Sequence, residues 1–194
     1  MKILRPAITL IVFFTVFLGL IYPLVVTLIA QALFPHQASG SIISVDRKAV
    51  GSELIGQQFS DPGYFWGRLS ATAPVPYNAA ASSGSNLGPT NPALLKEVQD
   101  RIDQLHSADP DNTLPIPADL VTSSGSGLDP DITPAAALYQ VHRVAQARNL
   151  PENEVRMLVE RMTEDRFLGF IGERRVNVLK LNLELDLVAA EKGL

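Results

Sequence analysis

Residues 7–30 read AITLIVFFTVFLGLIYPLVVTLIA, and this stretch decides the architecture because it contains no charged side chain. Sixteen of its residues are Ile, Leu, Val or Phe. A helix of about 20 apolar residues is enough to cross a bilayer core of about 30 Å. Pro23 is compatible with such a helix, since membrane helices tolerate proline where the freed carbonyl is satisfied locally or by a neighbouring helix. We therefore predict that residues 1–34 form a single transmembrane anchor.

The competing interpretation of this stretch is a cleaved secretory signal, and Ala30-Gln31-Ala32 fits a small-residue cleavage pattern. The length of the apolar run favours the anchor, because a signal core has only about 7 to 15 apolar residues. Lys2 and Arg5 precede the run, whereas residues 35–45 contain no Lys or Arg. This asymmetry predicts a cytoplasmic N-terminus and an extracytoplasmic domain comprising residues 35–194.

The composition of the remaining chain excludes several functions. After Arg5 it has 14 basic and 20 acidic residues, a net charge of −6, which argues against nucleic acid or an anionic lipid surface as the main partner. The sequence has no Cys, so disulfides, thiolate nucleophiles and iron–sulfur clusters are excluded.

The pattern of apolar residues predicts an α+β domain with a small antiparallel sheet and about three helices. Residues 39–59 alternate loosely and predict one or two short strands. Helices are expected from 92 to about 106, with Asn91 as N-cap, from 134 to about 148, and from 151 onward. Residues 179–187 alternate leucine with polar residues, which predicts a final strand.

Residues 61–92 are rich in turn-forming residues yet carry large aromatic side chains. A flexible linker would not hold so many aromatics, so we interpret the segment as an ordered loop that serves a partner or ligand. The candidate partner-contact residues are Tyr64, Phe65, Trp66, Arg68 and Tyr77.

Two glycine-serine segments are the other candidate site, and we call residues 82–88 the first serine loop and residues 123–129 the second serine loop. Successive Gly and Ser can direct backbone N–H groups at a phosphate. Neither loop continues into the Gly-Lys-Ser/Thr of a P-loop, so tight turns remain the alternative interpretation. The candidate nucleotide or partner residues are Ser83, Gly84, Ser85, Asn86, Ser124, Gly125, Ser126 and Gly127.

Catalytic and metal-binding patterns are weak. There is no G-x-S-x-G or S-x-x-K motif, and His142 lies beside an apolar stripe, where a surface role is expected. Asp109-Pro110-Asp111-Asn112 and Asp129-Pro130-Asp131 resemble parts of calcium loops but lack the glycine and distal glutamate of an EF-hand. We predict no catalytic residue and no metal site.

Together these segments resemble the C subunits of the bacterial Kdp potassium-transporting ATPases, which are P-type pump complexes. The resemblance covers nearly the whole chain, behind the same single anchor. Leu69 and His142 depart from it, because the family usually has proline at both places. The residues that carry it are Gly51 to Gln57, Tyr64 to Arg68 with Ser70-Ala71, Tyr77-Asn78, Gly84 to Leu87, Ser124 to Pro130, Arg143-Val144-Ala145 and Arg175 to Leu179.

The resemblance implies a non-catalytic subunit of an inner-membrane potassium uptake complex. Its implied partners are a channel-like potassium-translocating subunit, a P-type catalytic subunit and a small membrane subunit. It also implies a catalytic chaperone role that raises the ATP affinity of the catalytic subunit, with a glycine-serine loop as a nucleotide contact. This conflicts with the predicted topology, since an external domain never meets cytoplasmic ATP and would more naturally cover the outer mouth of the potassium pathway.

Overall fold

The computed structural model describes residues 3–192 and divides them into two units, one that ends at Ser52 and one that begins at Glu53. The predicted boundary at residue 34 differs from this division, because a β hairpin groups with the apolar helix. Lys2, on which the orientation argument partly rests, lies outside the described residues.

The first unit contains the predicted anchor. Helices α1 (Leu4–Val16) and α2 (Tyr22–Leu33) are joined by a π-helical turn, Phe17–Ile21. Together they form an apolar helix of 30 residues with a mean hydropathy of 2.5 and no buried residue, long enough to cross a membrane. The π turn ends where the backbone N–H of Tyr22 donates to the Phe17 carbonyl, one residue before Pro23. A proline lacks the N–H that a regular turn needs, so the irregularity falls where the sequence weakens the helix.

A short helix α3 (Pro35–Ala38) and a hairpin complete this unit. Strands β1 (Ile42–Val45) and β2 (Lys48–Ser52) pair antiparallel with an irregular register after Ile43. The turn between them places Asp46 and Arg47 at positive φ. The predicted short strands in residues 39–59 are therefore confirmed.

The second unit, which we call the folded domain, is built mainly from helices around one core. Its elements are a 3-10 turn Ala79–Ala81, α4 (Pro92–Ala108), α5 (Ala118–Val121), β3 (Asp131–Ile132), α6 (Pro134–Tyr139), α7 (Val141–Arg148), α8 (Glu152–Arg161), β4 (Thr163–Glu164), β5 (Arg175–Asn177) and α9 (Val178–Glu191). The small sheet is antiparallel with strand order β3-β5-β4, as the α+β prediction requires. Helix α8 packs against α6, α7 and α9.

The helix predictions are confirmed with adjusted ends. Asn91 caps α4 by accepting from the N–H of Ala93, and Thr133 caps α6 by accepting from the N–H of Ala136. The helix predicted from 134 to 148 is interrupted at Gln140, which separates α6 from α7. In α4, Leu105 is buried but Leu95 is exposed.

The predicted strand at residues 179–187 is wrong, because these residues form α9. Leu181, Leu185 and Ala189 are buried at helical spacing, whereas Leu187 is exposed. Asn177 begins the helix by accepting from the N–H of Lys180. Leucine, lysine, glutamate and alanine all favour helix over strand, so intrinsic propensity overrides the accidental two-residue period.

Candidate functional site

The two serine loops, far apart in sequence, lie against each other in the folded domain. The Ser82 hydroxyl donates to the Ser126 carbonyl at 3.0 Å, and the Ser123 hydroxyl donates to that of Ser85 at 3.3 Å. A Cβ at Gly84 would lie 2.9 Å from the Gly125 carbonyl oxygen, too close for most side chains. The absence of a side chain at Gly84 is therefore what lets the two backbones approach.

Gly127 is required for the same contact. Its φ of +68° lies in the left-handed region, and a Cβ there would lie 2.6 Å from Thr72 and 2.7 Å from the Ser83 carbonyl oxygen. The Gly127 carbonyl accepts from the Ser70 hydroxyl at 2.7 Å. In the first loop, Asn86 also has a positive φ, which asparagine tolerates better than most residues. The glycine-serine pattern thus lets three chain segments, the two serine loops and residues 70–72, pack closely against each other.

Much of the donor capacity of the second serine loop is used within the protein. The N–H of Ser124 donates to the Leu69 carbonyl, the N–H of Gly127 donates to the Ser124 carbonyl, and the N–H of Leu128 donates to the Ser126 hydroxyl. These three groups do not point at a free anion. The Ser124 hydroxyl differs, because it is buried and has no hydrogen-bond partner among the described residues.

The N-terminus of α6, the helix that follows this loop, already has an anionic partner within the chain. The Asp119 carboxylate accepts from the N–H of Thr133 at 2.7 Å and from its hydroxyl at 3.2 Å. A carboxylate at this position takes the place where a phosphate would gain from the helix dipole. The α6 terminus is therefore already supplied with an anion.

The aromatic residues of the long loop are placed differently from our prediction. Phe65 and Trp66 are 0% and 2% exposed and belong to the hydrophobic core. Tyr64 and Tyr77 are half-buried. Burial argues against direct partner contact by Phe65 and Trp66, and it explains why the loop is ordered.

We call residues 61–69 the core loop, because this irregular segment runs through the interior. The side-chain amide of Asn182 accepts from the N–H of Phe65 at 2.8 Å and donates to its carbonyl at 3.0 Å. The amide of Gln140 forms the same pair of bonds with Trp66, at 2.8 and 3.1 Å. Two side chains thus supply the hydrogen bonds that a neighbouring strand would otherwise provide, and a buried backbone requires such partners.

The pattern extends along the whole core loop, where every backbone carbonyl accepts a hydrogen bond. The donors are mostly side chains from α4, α7 and α9, so the loop joins helices that are distant in sequence. Trp66 Nε1 donates to the carbonyl of residue 61, Arg143 to those of 62 and 64, Arg148 to that of 63 and Asn182 to that of 65. Gln140 donates to the carbonyl of residue 66, Arg101 to that of 67, the Tyr77 hydroxyl to that of 68 and the Ser124 N–H to that of 69.

Two arginines lie over the ring of Trp66. The guanidinium carbons of Arg101 and Arg143 are 5.1 and 4.1 Å from the ring centroid. Burial lowers the pKa of Arg143 to about 10 and also lowers the pKa of Arg101, because desolvation disfavours the charged form. The carbonyl bonds and the aromatic ring offset this cost, and each guanidinium also bonds a glutamine oxygen, from Gln104 and Gln140 respectively.

Arg68 connects the core loop to the second serine loop. Its guanidinium forms an ion pair with Asp129 at 3.0 Å and donates to the Ser123 carbonyl at 3.3 Å. Tyr77 donates to the Arg68 carbonyl, and burial raises the pKa of this tyrosine to about 12. A polar cavity of about 90 Å³ lies beside Arg68, Tyr77 and Arg101. Tyr77 therefore stays neutral and acts as a hydrogen-bond donor over the ordinary pH range.

His142 occupies the partly exposed position that its sequence context predicts. Its Nδ1 lies 2.7 Å from the buried Asp109 carboxylate, which also accepts from Asn112. The hydrogen bond with Asp109 raises the pKa of His142. Among residues 3–192 there is no group of three His, Cys, Asp or Glu side chains that could hold a metal ion.

Sequence reasoning missed the polar residues that matter most to the core loop, namely Gln140, Asn182 and Arg101. All three side chains are polar and buried; Arg101 lies on α4, Asn182 lies on α9, and Gln140 lies between α6 and α7. The available signal was a polar residue within an apolar run, since Asn182 lies between Leu181 and Leu183. Buried amides and guanidiniums need specific partners, so such positions indicate a buried irregular backbone nearby.

Comparison with known proteins agrees with this architecture. Residues 4–187 match the family model KdpC, described as "K+-transporting ATPase, c chain". The relative from Herpetosiphon aurantiacus, named potassium-transporting ATPase KdpC subunit, is 64% identical and covers 94% of each chain. Relatives with the same name from Paraburkholderia xenovorans and Methylococcus capsulatus are each 61% identical, over 95% and 94% of this chain and 96% of their own. The chain therefore belongs to the KdpC family, the c chains of potassium-transporting ATPases.

Proposed function

We propose that this chain is a non-catalytic accessory subunit of an ATP-driven, high-affinity potassium uptake complex in the bacterial inner membrane. Its single helix anchors it beside a channel-like potassium-translocating subunit, a P-type catalytic subunit and a small membrane subunit. Its folded domain stabilises the assembly and modulates ATP use by the catalytic subunit. Membership of the KdpC family supports the complex, and the apolar helix of 30 residues supports the anchor.

The observation that carries the proposal is the internal use of polar groups in the folded domain. All carbonyls of the core loop, the N–H groups of the second serine loop named above and the α6 terminus are bonded within the chain. A site that binds and turns over a substrate needs polar groups left for that substrate. A domain whose core-loop carbonyls and α6 terminus are bonded internally acts on a partner through its outer surface instead.

The proposed topology is an internal N-terminus and an external domain. Arg5 lies in the first turn of the apolar helix, whereas residues 35–45 beyond its other end contain no Lys or Arg, in agreement with the positive-inside rule. In this arrangement the domain lies over the entry of the potassium pathway and does not contact cytoplasmic ATP. The net negative charge of the domain also favours the approach of cations to its surface.

The assembly role is tested by deleting residues 36–194 and keeping the anchor. We expect potassium uptake, or co-purification of the remaining subunits, to be lost. Uptake is measured in cells without another potassium uptake system, and immunoblots check that the truncated chain reaches the membrane. Unchanged uptake by an assembly that contains the truncated chain contradicts the proposal.

A nucleotide-binding regulatory module is the second candidate, and the buried, unpartnered Ser124 hydroxyl favours it. It predicts that Ser124→Ala and Ser126→Ala change the KM for ATP of the purified complex. Ser107→Ala, an exposed position at the end of α4, is the matched control. If the two loop variants behave like the control, the nucleotide role is rejected.

Sidedness separates the two candidates directly. Because the chain has no cysteine, Leu114→Cys adds one thiol at an exposed position of the folded domain. A membrane-impermeant maleimide should label this thiol in intact spheroplasts if the domain is external. Labelling only after the membrane is opened places the domain inside and favours the nucleotide candidate.

A further inference from the structure

The segment between β4 and β5 ends in an exposed apolar turn. Phe167, Leu168 and Phe170 are 69%, 70% and 73% exposed, and Ile171 is 48% exposed. We call residues 167–171 the apolar tip. Large apolar side chains scattered over a surface need no explanation, but four of them within five consecutive residues form a patch typical of an interaction site.

The apolar tip has a defined backbone. Phe167 and Ile171 exchange both N–H to carbonyl bonds, each at 2.9 Å. Gly169 has a φ of +82°, which glycine adopts freely, but Leu168 also has a positive φ, of +53°. A leucine in the left-handed region is uncommon. The turn thus holds an apolar side chain outward in a conformation that leucine does not favour, and such outliers concentrate at functional sites.

The residues on either side of the tip, 165–166 and 173–174, form its base; they are charged, but the charges cancel in two ion pairs. Arg166 pairs with Glu173 at 2.7 Å, and Arg174 pairs with Asp165 at 2.8 Å. An apolar centre with a polar rim is the usual anatomy of a protein–protein contact. Both arginines already have carboxylate partners, and the chain after Arg5 has a net charge of −6, so nothing here attracts an anionic lipid headgroup.

We propose that the apolar tip inserts into an apolar recess on another subunit of the same potassium-transporting assembly. This inference rests on the proposed function, since it needs a complex in which the chain is a subunit. The tip supplies the buried anchor of the contact, and the two ion pairs at its base form the rim. Because the turn is already ordered, association loses little conformational entropy.

Crosslinking in membranes tests this placement. Phe170→Cys and the control Leu114→Cys are made in the full chain, co-expressed with the other subunits, and labelled with a benzophenone maleimide; both original side chains are exposed and the chain has no other thiol. After illumination we expect Phe170→Cys, and not Leu114→Cys, to form a covalent adduct with another subunit. Adducts with lipid alone place the tip in the bilayer and overturn the proposal, as do equal subunit adducts from both positions or none from Phe170→Cys.

A second measurement does not depend on the probe. In detergent, Phe170→Ser should dissociate from the purified complex about tenfold faster than Leu114→Ser, because truncating a central apolar anchor removes much of a contact's free energy. Equal dissociation rates overturn the inference while leaving the proposed function intact. The proposed function itself fails if even the unaltered chain does not co-purify with the ATPase subunits.

Discussion

The core loop and the apolar tip are both short irregular segments with large aromatic residues, yet they place those residues in opposite environments. In the core loop, Phe65 and Trp66 are buried and the backbone is hydrogen-bonded by side chains from helices α4, α7 and α9. In the tip, Phe167 and Phe170 are exposed and the turn is closed by its own backbone bonds. Aromatic content therefore does not say whether a loop serves the core or a partner. The deciding feature is whether polar side chains elsewhere complement the loop backbone.

The largest expected difference between the two loops comes from the same substitution in each. Phe65→Ala should lower the free energy of unfolding of the domain by about 3 to 5 kcal/mol, because it leaves a cavity in the core. Phe170→Ala should change it by less than about 0.5 kcal/mol, as expected for an exposed side chain. Trp66 is the only tryptophan, so its fluorescence during urea unfolding of the full chain in detergent reports on the core loop. Similar effects of the two substitutions would remove the contrast between the loops.

The next prediction separates the contribution of the hydrogen bonds to the core loop from the contribution of its packing. Gln140→Leu keeps a side chain of similar size but leaves the buried N–H and carbonyl of Trp66, and one bond of Arg143, without partners. Each unsatisfied buried group costs about 1 to 3 kcal/mol, so even at the lower figure we expect the three groups together to cost about 3 kcal/mol.

Gln146→Leu is the matched control, since Gln146 is an exposed glutamine on α7, the helix that follows Gln140. The control should change stability by less than about 0.5 kcal/mol. If Gln140→Leu were as mild as this control, the side-chain amides would not be what holds the core loop.

The contact between the two serine loops should be sensitive to substitution at one glycine and tolerant of substitution at another. Gly127→Ala forces a Cβ against Thr72 and Ser83 at a positive φ, and we expect a loss of about 1 to 3 kcal/mol. Gly125→Ala is the control, because a Cβ there meets nothing within 4 Å and φ is not positive. The measurement is the same urea titration. Equal effects at the two glycines would mean that the loops are not held together as described.

Local signals were enough to predict much of the fold. The anchor, the hairpin and helices α4 and α8 follow from uncharged length, alternation, capping residues and helical periodicity. Residues 179–187 were predicted wrongly because their leucines satisfy a two-residue period by chance, while the buried positions, such as Leu181 and Leu185, follow the helical one. Where two periods fit the same residues, helix propensity was the better guide.

The arrangement of the candidate site could not be predicted in the same way. Both serine loops were identified, but their contact joins Ser82 to Ser126, and no local pattern encodes that pairing. The prediction that the aromatic loop is ordered is correct, but the reason for its order lies in Gln140, Asn182 and Arg143, which are distant in sequence. Long-range complementarity of this kind depends on tertiary structure, which one sequence does not display.

The smallest expected effect is a pH dependence of the helix that holds the core loop. His142 lies in the first turn of α7, and its hydrogen bond with Asp109 raises its pKa above the ordinary value of 6.5, with smaller contributions in the same direction from the nearby charges of Glu152 and Asp111. A raised pKa in the folded state means that protonation stabilises the fold. This stabilisation is complete below about pH 6.5 and is lost as the pH rises through the raised pKa.

We therefore expect His142→Gln to reduce the free energy of unfolding more at pH 5.5 than at pH 8.5. The difference should be below about 1 kcal/mol, because the pair is partly exposed and screened by solvent. Phe170→Ala, in the apolar tip, should show no such dependence on pH. If the His142→Gln effect were the same at both pH values, the charge of His142 would have no part in holding α7 against Asp109.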